Sequence, residues 1–267
     1  MTAALRLQGV TCRFAGRDGR AHVAVGDASL EVGEAEFVSL VGPTGCGKST
    51  LLNVAAGLHR PFAGTVSVFG EPLAGRNAHA GYLFQGEALL PWRSARANVR
   101  LGLELRGVPE GEVARVADDW LRRVGLAGHG DKFPHELSGG MRKRVALAQT
   151  LAVGPRILLM DEPFSALDVQ TRALMENELL SLWQQDRKSV LFVTHDLEEA
   201  IALSDRVIVL GAGPASRPVG EFPIDLPRPR DVAEVRLTPA FLHLHRQVWE
   251  ILRGEVMKAH APAGGIS

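Results

Sequence analysis

The sequence predicts an α/β fold, on three observations. A short apolar run, Phe37 to Val41, leads into the glycine-rich stretch Gly42-Pro43-Thr44-Gly45-Cys46-Gly47-Lys48-Ser49-Thr50 and then into helix-compatible Leu51 to Ala56. Two later runs, Ile157 to Met160 and Val190 to Val193, are apolar throughout, as parallel strands covered on both faces are, and they end in Asp161-Glu162 and Thr194-His195. From Gly86 to about Leu137 the pattern is instead helical.

In chain order, Leu5 to Val10 alternates and, with Ala28 to Val32, reads as antiparallel strand material ahead of the glycine-rich stretch. Phe14, between these strands, fits either an ordinary core aromatic or a face that stacks on a purine. Gly64 to Gly70 reads as a β-branched strand bounded by glycines, and Gly81 to Phe84 as a short strand ending in Gln85. Val113, Val116, Ala117, Trp120, Leu121 and Val124 recur at three- and four-residue steps, an apolar stripe along one helix. Strand-like runs return only at Ile157, so 86–153 is expected to be a helical subdomain inserted into a core made of 1–85 and 154–212. Arg206 to Leu210 supplies a further strand. Beyond Gly211 the chain is Pro-rich (Pro214, Pro218, Pro223, Pro227, Pro229), then offers a helix from Asp231 to about Met257. With small residues from Ala261 to Ser267, expected to be frayed, 213–267 forms an extension.

The glycine-rich stretch has the parts a phosphate-binding loop needs. Gly42, Gly45 and Gly47 let the backbone approach a ligand and turn its amides inward, with the positive end of the next helix facing the phosphates. Lys48 supplies a cation for the terminal phosphates and Ser49 a hydroxyl for Mg²⁺. The competing reading is a glycine-rich turn that binds nothing.

An acidic residue at the end of a buried strand can hold Mg²⁺, usually through water, which makes Asp161 the metal-facing carboxylate. Its neighbour Glu162 can accept a proton from, or orient, the attacking water; the alternative is an acidic pair capping a surface helix. Gln85 can touch both the metal shell and that water. His195 fits either a γ-phosphate ligand that holds the water in line or a structural histidine. Because ligands in open α/β sheets bind beyond the carboxyl ends of the strands, Gln85, Asp161, Glu162 and His195 are expected near the loop.

Leu137-Ser138-Gly139-Gly140-Met141 is the second informative stretch. Ser138 is a natural N-cap, Gly139 and Gly140 permit close backbone approach, and Met141 to Ala152 is helical in pattern, so a helix start with free amides is expected as an anion site. Arg142, Lys143 and Arg144 crowd the first turn, where the helix dipole disfavours cations by roughly a few tenths of a kcal/mol each. A bound polyphosphate nearby is expected to relieve this; the competing reading is a capped, inert helix.

The 267 residues, 46% hydrophobic and 22% charged, can bury a substantial core. Thirty basic and 30 acidic residues leave a formal net charge of zero, which implies no bulk attraction to nucleic acid or anionic lipid. Cys12 and Cys46 offer neither metal spacing nor a disulfide framework. No stretch approaches the ~18 apolar residues of a membrane span, and Met1 to Val10 lacks the pattern of a secretory signal. A soluble protein of a reducing, cytoplasmic compartment is expected.

Taken together, Gly42 to Thr50, Gln85, Leu137 to Met141, Ile157 to Glu162, Ser165-Ala166-Leu167-Asp168 and His195 resemble the ATP-binding subunit of an ATP-binding cassette (ABC) transporter, over about residues 5 to 212. The resemblance implies a P-loop NTPase core of the ABC cassette type, with an antiparallel β subdomain and an inserted α-helical subdomain, and ATP and Mg²⁺ as cofactors. In that family's terms the stretches are, in order, the Walker A loop, Q-loop, signature, Walker B, D-loop and switch histidine. Phe14 matches the A-loop aromatic that stacks on adenine, and Asp168 gains its role, linking two sites, only through this resemblance. Phe84-Gln85 followed by Leu89-Leu90-Pro91-Trp92, Pro134-His135-Glu136, Asp161 to Asp168 and Leu226-Pro227-Arg228-Pro229-Arg230 are similar to the nitrate/sulfonate/taurine importer branch. The chain departs from the general pattern at Met141, where glutamine is usual, and from the branch at Gly86, where an acidic residue is frequent.

The family further implies an ATPase in which Glu162, His195, Gln85 and Lys48 carry the chemistry and two copies pair head to tail, the signature of one closing over ATP held by the loop of the other. It implies integral membrane permease subunits, a solute-binding protein outside, and a peripheral place on the cytoplasmic side of the inner membrane, with no nucleic-acid partner. Leu89, Leu90 and Trp92 fit either a groove for a permease helix or subdomain core. The competing functional class is a soluble ABC ATPase acting on ribosomes or DNA, which resembles two cassettes in one chain or a cassette split by a long coiled coil. A P-loop kinase leaves the Ser138 stretch without a purpose.

Overall fold

The computed structural model describes residues 3–16 and 21–260. They divide into two compact units, Met1–Ala78 with Arg187–Ser267, and His79–Asp186. The helical stretch 86–153 lies within the second unit, whose limits run wider because neighbouring strands and one more helix cluster with it.

In the first unit, β1 (Ala3–Ala15) and β2 (Ala21–Gly33) run antiparallel with Leu7 opposite Leu30. β1 pairs on its other edge with β4 (Ala63–Val68), Leu7 opposite Val66, and β5 (Glu71–Pro72) closes that sheet. This is the antiparallel material read from Leu5 to Val10 and Ala28 to Val32; Leu5, Leu7, Val10 and Cys12 turn one face inward. β3 (Phe37–Val41) lies between β8 (Ser189–Val193) and β9 (Arg206–Leu210), parallel to both, and every residue of β3 and β8 is buried. That two-sided burial is why these segments contain no charged residue: each fully covered Leu, Val or Phe contributes about 1.5–3 kcal/mol, and a charge in its place would be desolvated.

β10 (Pro218–Pro223) pairs antiparallel with the edge of β9, a strand that the Pro-rich composition concealed. The single helix expected over 231–257 is two: α7 (Val232–Val235) and α8 (Pro239–His260). Pro239 disfavours a helical Thr238 before it, and the Thr238 hydroxyl instead accepts the Phe241 amide at 3.2 Å. The Leu226 to Arg230 stretch acts as a staple. Arg228 donates to Asp205 at 2.8 Å, and buried Arg230 donates to the carbonyls of Ser204 (2.7 Å), Leu226 (3.0 Å) and Ala202 (3.1 Å). Burial, reinforced by nearby Arg228, brings the Arg230 guanidinium down to about 10. The end expected to be frayed, 261–267, lies outside the described residues.

In the second unit, β6 (Ala80–Leu83) runs parallel to β7 (Ile157–Asp161). Around them stand α2 (Ala95–Leu105), α3 (Glu110–Arg123), α4 (Gly139–Ala152) and α5 (Val169–Gln185). The stripe on α3 is a packing face: Val113, Ala117, Leu121 and Val124 are buried against Val99, Leu103, Val145 and Ala148, with Val116 and Trp120 at its margin. Among the described residues, no helix is long and apolar enough to cross a membrane.

Candidate functional site

The first unit holds the phosphate loop. It follows β3 and opens α1 (Lys48–Ala55), whose start is Gly47 with no side-chain cap. Gly45 and Gly47 adopt φ of 78° and 93°, left-handed values that a β-carbon would strain. A β-carbon on Gly45 would meet nothing within 4 Å, so the loop is open there, whereas one on Gly42 would fall 2.7 Å from the Leu210 carbonyl. Lys48, only 6% exposed, folds its ammonium into the curl of the loop, donating to the carbonyls of Gly42 (2.9 Å) and Pro43 (3.0 Å). Burial pushes the Cys46 thiol up, so it stands as a small neutral residue beside that ammonium. Thr44 and Ser49 are exposed and Thr50 is partly so.

β3 and β8 are parallel neighbours, Leu40 opposite Val193, so the phosphate loop and Thr194-His195 leave adjacent strands at the same end. Buried Thr194 donates to Glu199 at 2.6 Å while Asp196 caps α6 (Leu197–Leu203), accepting the Glu198 amide at 2.8 Å; the imidazole of His195 is exposed. Phe14 is 40% exposed and stacks on His59, ring centroids 4.9 Å apart, so it is not a core aromatic.

The second unit holds the carboxylates. Asp161 ends β7, and the Tyr82 phenol reaches its Oδ2 at 3.5 Å; burial and that carboxylate together push the phenol up. Glu162 follows with φ 44°. Ser165 joins two loops here: its hydroxyl donates to the Glu162 carbonyl at 3.0 Å and lies 3.5 Å from Gln85 Nε2. In the sequence Ser165 stands out only by its place three residues beyond Glu162, the spacing at which its hydroxyl reaches the Glu162 carbonyl. Asp168 caps α5, accepting the Thr171 amide at 3.0 Å, and that hydrogen bond holds its carboxyl below the ordinary range.

Ser138 caps α4 as expected, accepting the Met141 amide at 3.3 Å, with Gly139 and Gly140 in the first turn. The three cations beside it have a different explanation from the polyphosphate expected. Arg142 donates to the Leu137 carbonyl at 2.8 Å and pairs with Glu87 at 3.5 Å. Lys143, 3% exposed, donates to the main-chain carbonyl of Gln85, and burial lowers its pKa. Arg144 takes the Val124 carbonyl and Glu178, both at 3.1 Å. All three are tethers between α4 and its surroundings, which offsets the unfavourable dipole. Met141 packs against the helical core. Leu89 does too, Trp92 is 72% exposed, and a β-carbon on Gly86 would meet nothing.

Ser49 in the first unit and Asp161 in the second each offer a hard oxygen atom of the kind Mg²⁺ takes. Among the described residues no group of three or more His, Cys, Asp or Glu could hold a metal. The open face at Gly45 leaves room for the phosphates.

A family model described as "ABC transporter" matches residues 25–165. An uncharacterized ABC transporter ATP-binding protein of Methanocaldococcus jannaschii is 48% identical over 236 residues, 88% of this chain and 86% of that protein. A nitrate import ATP-binding protein, NrtC, of Synechococcus elongatus is 40% identical over 237 residues, 88% of this chain but 36% of that protein. Among solved structures, a dimeric ATP-binding cassette in a post-hydrolysis state bound to ADP and Pi superposes with a TM-score of 0.73 at 30% identity, covering 83% of this chain and 99% of that one.

Proposed function

The chain belongs to the ABC transporter family as an ATP-binding, ATP-hydrolysing subunit, and from that premise we propose that two copies pair head to tail and drive import of a small solute through a separate membrane permease. The observation that carries the pairing is the helix start at Ser138. Its cations are held by the chain's own carbonyls and carboxylates, so what α4 offers a phosphate of the other copy is its backbone amides.

In this reading the phosphate loop of one copy and the Ser138 to Gly140 turn of the other enclose one ATP. Lys48 exchanges its two loop carbonyls for terminal phosphate oxygens. Ser49, Asp161 and Gln85 would hold Mg²⁺, which would supply charge neutralisation for the phosphates. Glu162 accepts a proton from the attacking water and His195 holds that water in line. Phe14 stacks on adenine, and Asp168 links the two sites. Positioning and electrostatics account for the rate, because phosphoryl transfer asks little covalent work of the protein.

The permease surface belongs to the second unit. A cleft of about 310 Å³ there is lined by Phe84, Glu87, Ala88, Leu101, Leu105 and Val153, with Leu105 80% exposed. It suits an amphipathic helix of a membrane subunit and begins one residue from Gln85. The cassette then sits on the cytoplasmic side of the inner membrane. The resemblance to a nitrate import ATPase supports nitrate as cargo, and the importer-branch motifs extend the reading to a sulfonate, taurine or a similar small solute, delivered by an extracytoplasmic binding protein. Purification from native membranes tests this: recovery with a permease is expected, and recovery with ribosomes or DNA instead would overturn the transport reading.

A further inference from the structure

The segment 211–217 packs against the back of the phosphate loop, and no motif includes it. Ser216 is 2% exposed, and its hydroxyl, with a single proton to give, lies between two carbonyls, that of Cys46 as the closer partner and that of Ala24 at 3.0 Å. The backbone is fixed on both sides: Ala215 N donates to the Val23 carbonyl at 2.7 Å and Gly26 N to the Ser216 carbonyl at 3.0 Å. Steric fit is close, since a β-carbon on Gly26 would lie 2.8 Å from that of Ala215 and one on Gly47 2.6 Å from Val25 and 3.5 Å from the Ser216 hydroxyl. The C-terminal helix secures this segment from beyond. Glu255 of α8, 8% exposed, accepts the Ala212 amide at 2.8 Å and is itself paired with Lys258.

A planar trans peptide points its carbonyl and its N–H in opposite directions, and the Cys46–Gly47 bond is trans. With its carbonyl drawn toward Ser216, that unit must aim the Gly47 N–H away from Ser216. We infer that Ser216 is a positioning residue for ATP binding: by holding the Cys46 carbonyl it orients the Gly47 amide toward the phosphates, and α8, through Glu255, keeps Ser216 in register. This rests on the reading of 42–50 as the phosphate loop, and it gives the C-terminal extension a task in nucleotide affinity.

Binding of ADP with Mg²⁺ to the purified full chain, followed by calorimetry, tests it. Loss of one hydrogen bond in Ser216→Ala is expected to weaken ADP about fivefold to tenfold and to raise KM for ATP more than it lowers kcat. Ser216→Thr, which keeps the hydroxyl, should restore most of that affinity, and Glu255→Ala should weaken ADP by about threefold. Lys48→Ala separates the layers: if it leaves ADP affinity intact, the phosphate-loop reading itself fails. If Lys48→Ala weakens ADP while Ser216→Ala lowers only the melting temperature, Ser216 is a packing residue and the inference is overturned. Should Ser216→Ala not fold, Ser216→Cys keeps the shape with a weaker donor, and unchanged affinity there overturns it equally.

Discussion

Two helix starts in this chain look alike on paper and differ in the fold. α1 opens at Gly47 with no side-chain cap, a left-handed glycine on either side of Cys46, and a lysine turned into its own loop. α4 opens at Ser138, whose hydroxyl occupies the Met141 amide, and its neighbouring cations are engaged with Gln85, Leu137, Val124, Glu87 and Glu178. The first start has the open backbone and the buried cation with which a loop can hold phosphate by itself. The second is a capped end whose cations already have partners, and in the proposed pairing it closes over a phosphate held by the other copy. Two anion-seeking helix ends on one chain therefore need not be two sites; they can be two halves.

The largest expected effect probes where the halves meet. Glu162→Gln should leave ATP binding intact, slow hydrolysis by about 10² to 10⁴, and trap an ATP-bound dimer, read by phosphate release and by size-exclusion in ATP. Near-native turnover would remove Glu162 from its role. Lys48→Ala comes next: losing a charged hydrogen-bond donor to phosphate should weaken ATP by about 10- to 100-fold in calorimetry. Unchanged affinity would deny that the loop before α1 holds the phosphates. Ser138→Ala sharpens the contrast, since a lost N-cap costs about 1 kcal/mol of stability. It should reduce turnover while the affinity of the separated chain for ATP stays as it was. A fall in that affinity matching Lys48→Ala would make the two starts equivalent and break the comparison.

The smallest effect concerns Asp168. Its folded-state pKa lies below the unfolded value because it accepts the Thr171 amide, so its stabilising contribution is present above about pH 3.9 and fades as pH falls through the folded value. The stability gap between the native chain and Asp168→Ala, measured by denaturant melts, should therefore be greater at pH 7 than at pH 3. A gap of constant size would show that the carboxylate's charge is irrelevant to the cap.

Much of this was legible in the sequence because it rested on local rules. Apolar runs ending in Gly42, Asp161-Glu162 and Thr194-His195 became β3, β7 and β8, and the 3.6-residue stripe from Val113 to Val124 became the buried face of α3. Where the sequence misled, the reason lies in partners far along the chain. Arg142, Lys143 and Arg144 looked unbalanced until Gln85, Glu87 and Glu178 came beside them, a relation no window of neighbouring residues contains. Ser216 was unremarkable among prolines, since its partner Cys46 lies 170 positions earlier. The break between α7 and α8, by contrast, was readable from Thr238-Pro239.

Glu162 sits at φ 44°, a conformation that asparagine or glycine would accept more readily than a glutamate. Selection for fold durability alone would drift toward glycine at this position, with a gain on the order of 1 kcal/mol. On the role proposed for Glu162, a carboxylate held there puts hydrolytic competence ahead of thermal endurance, and a version of this protein hardened by relaxing that backbone is expected to be an idle one.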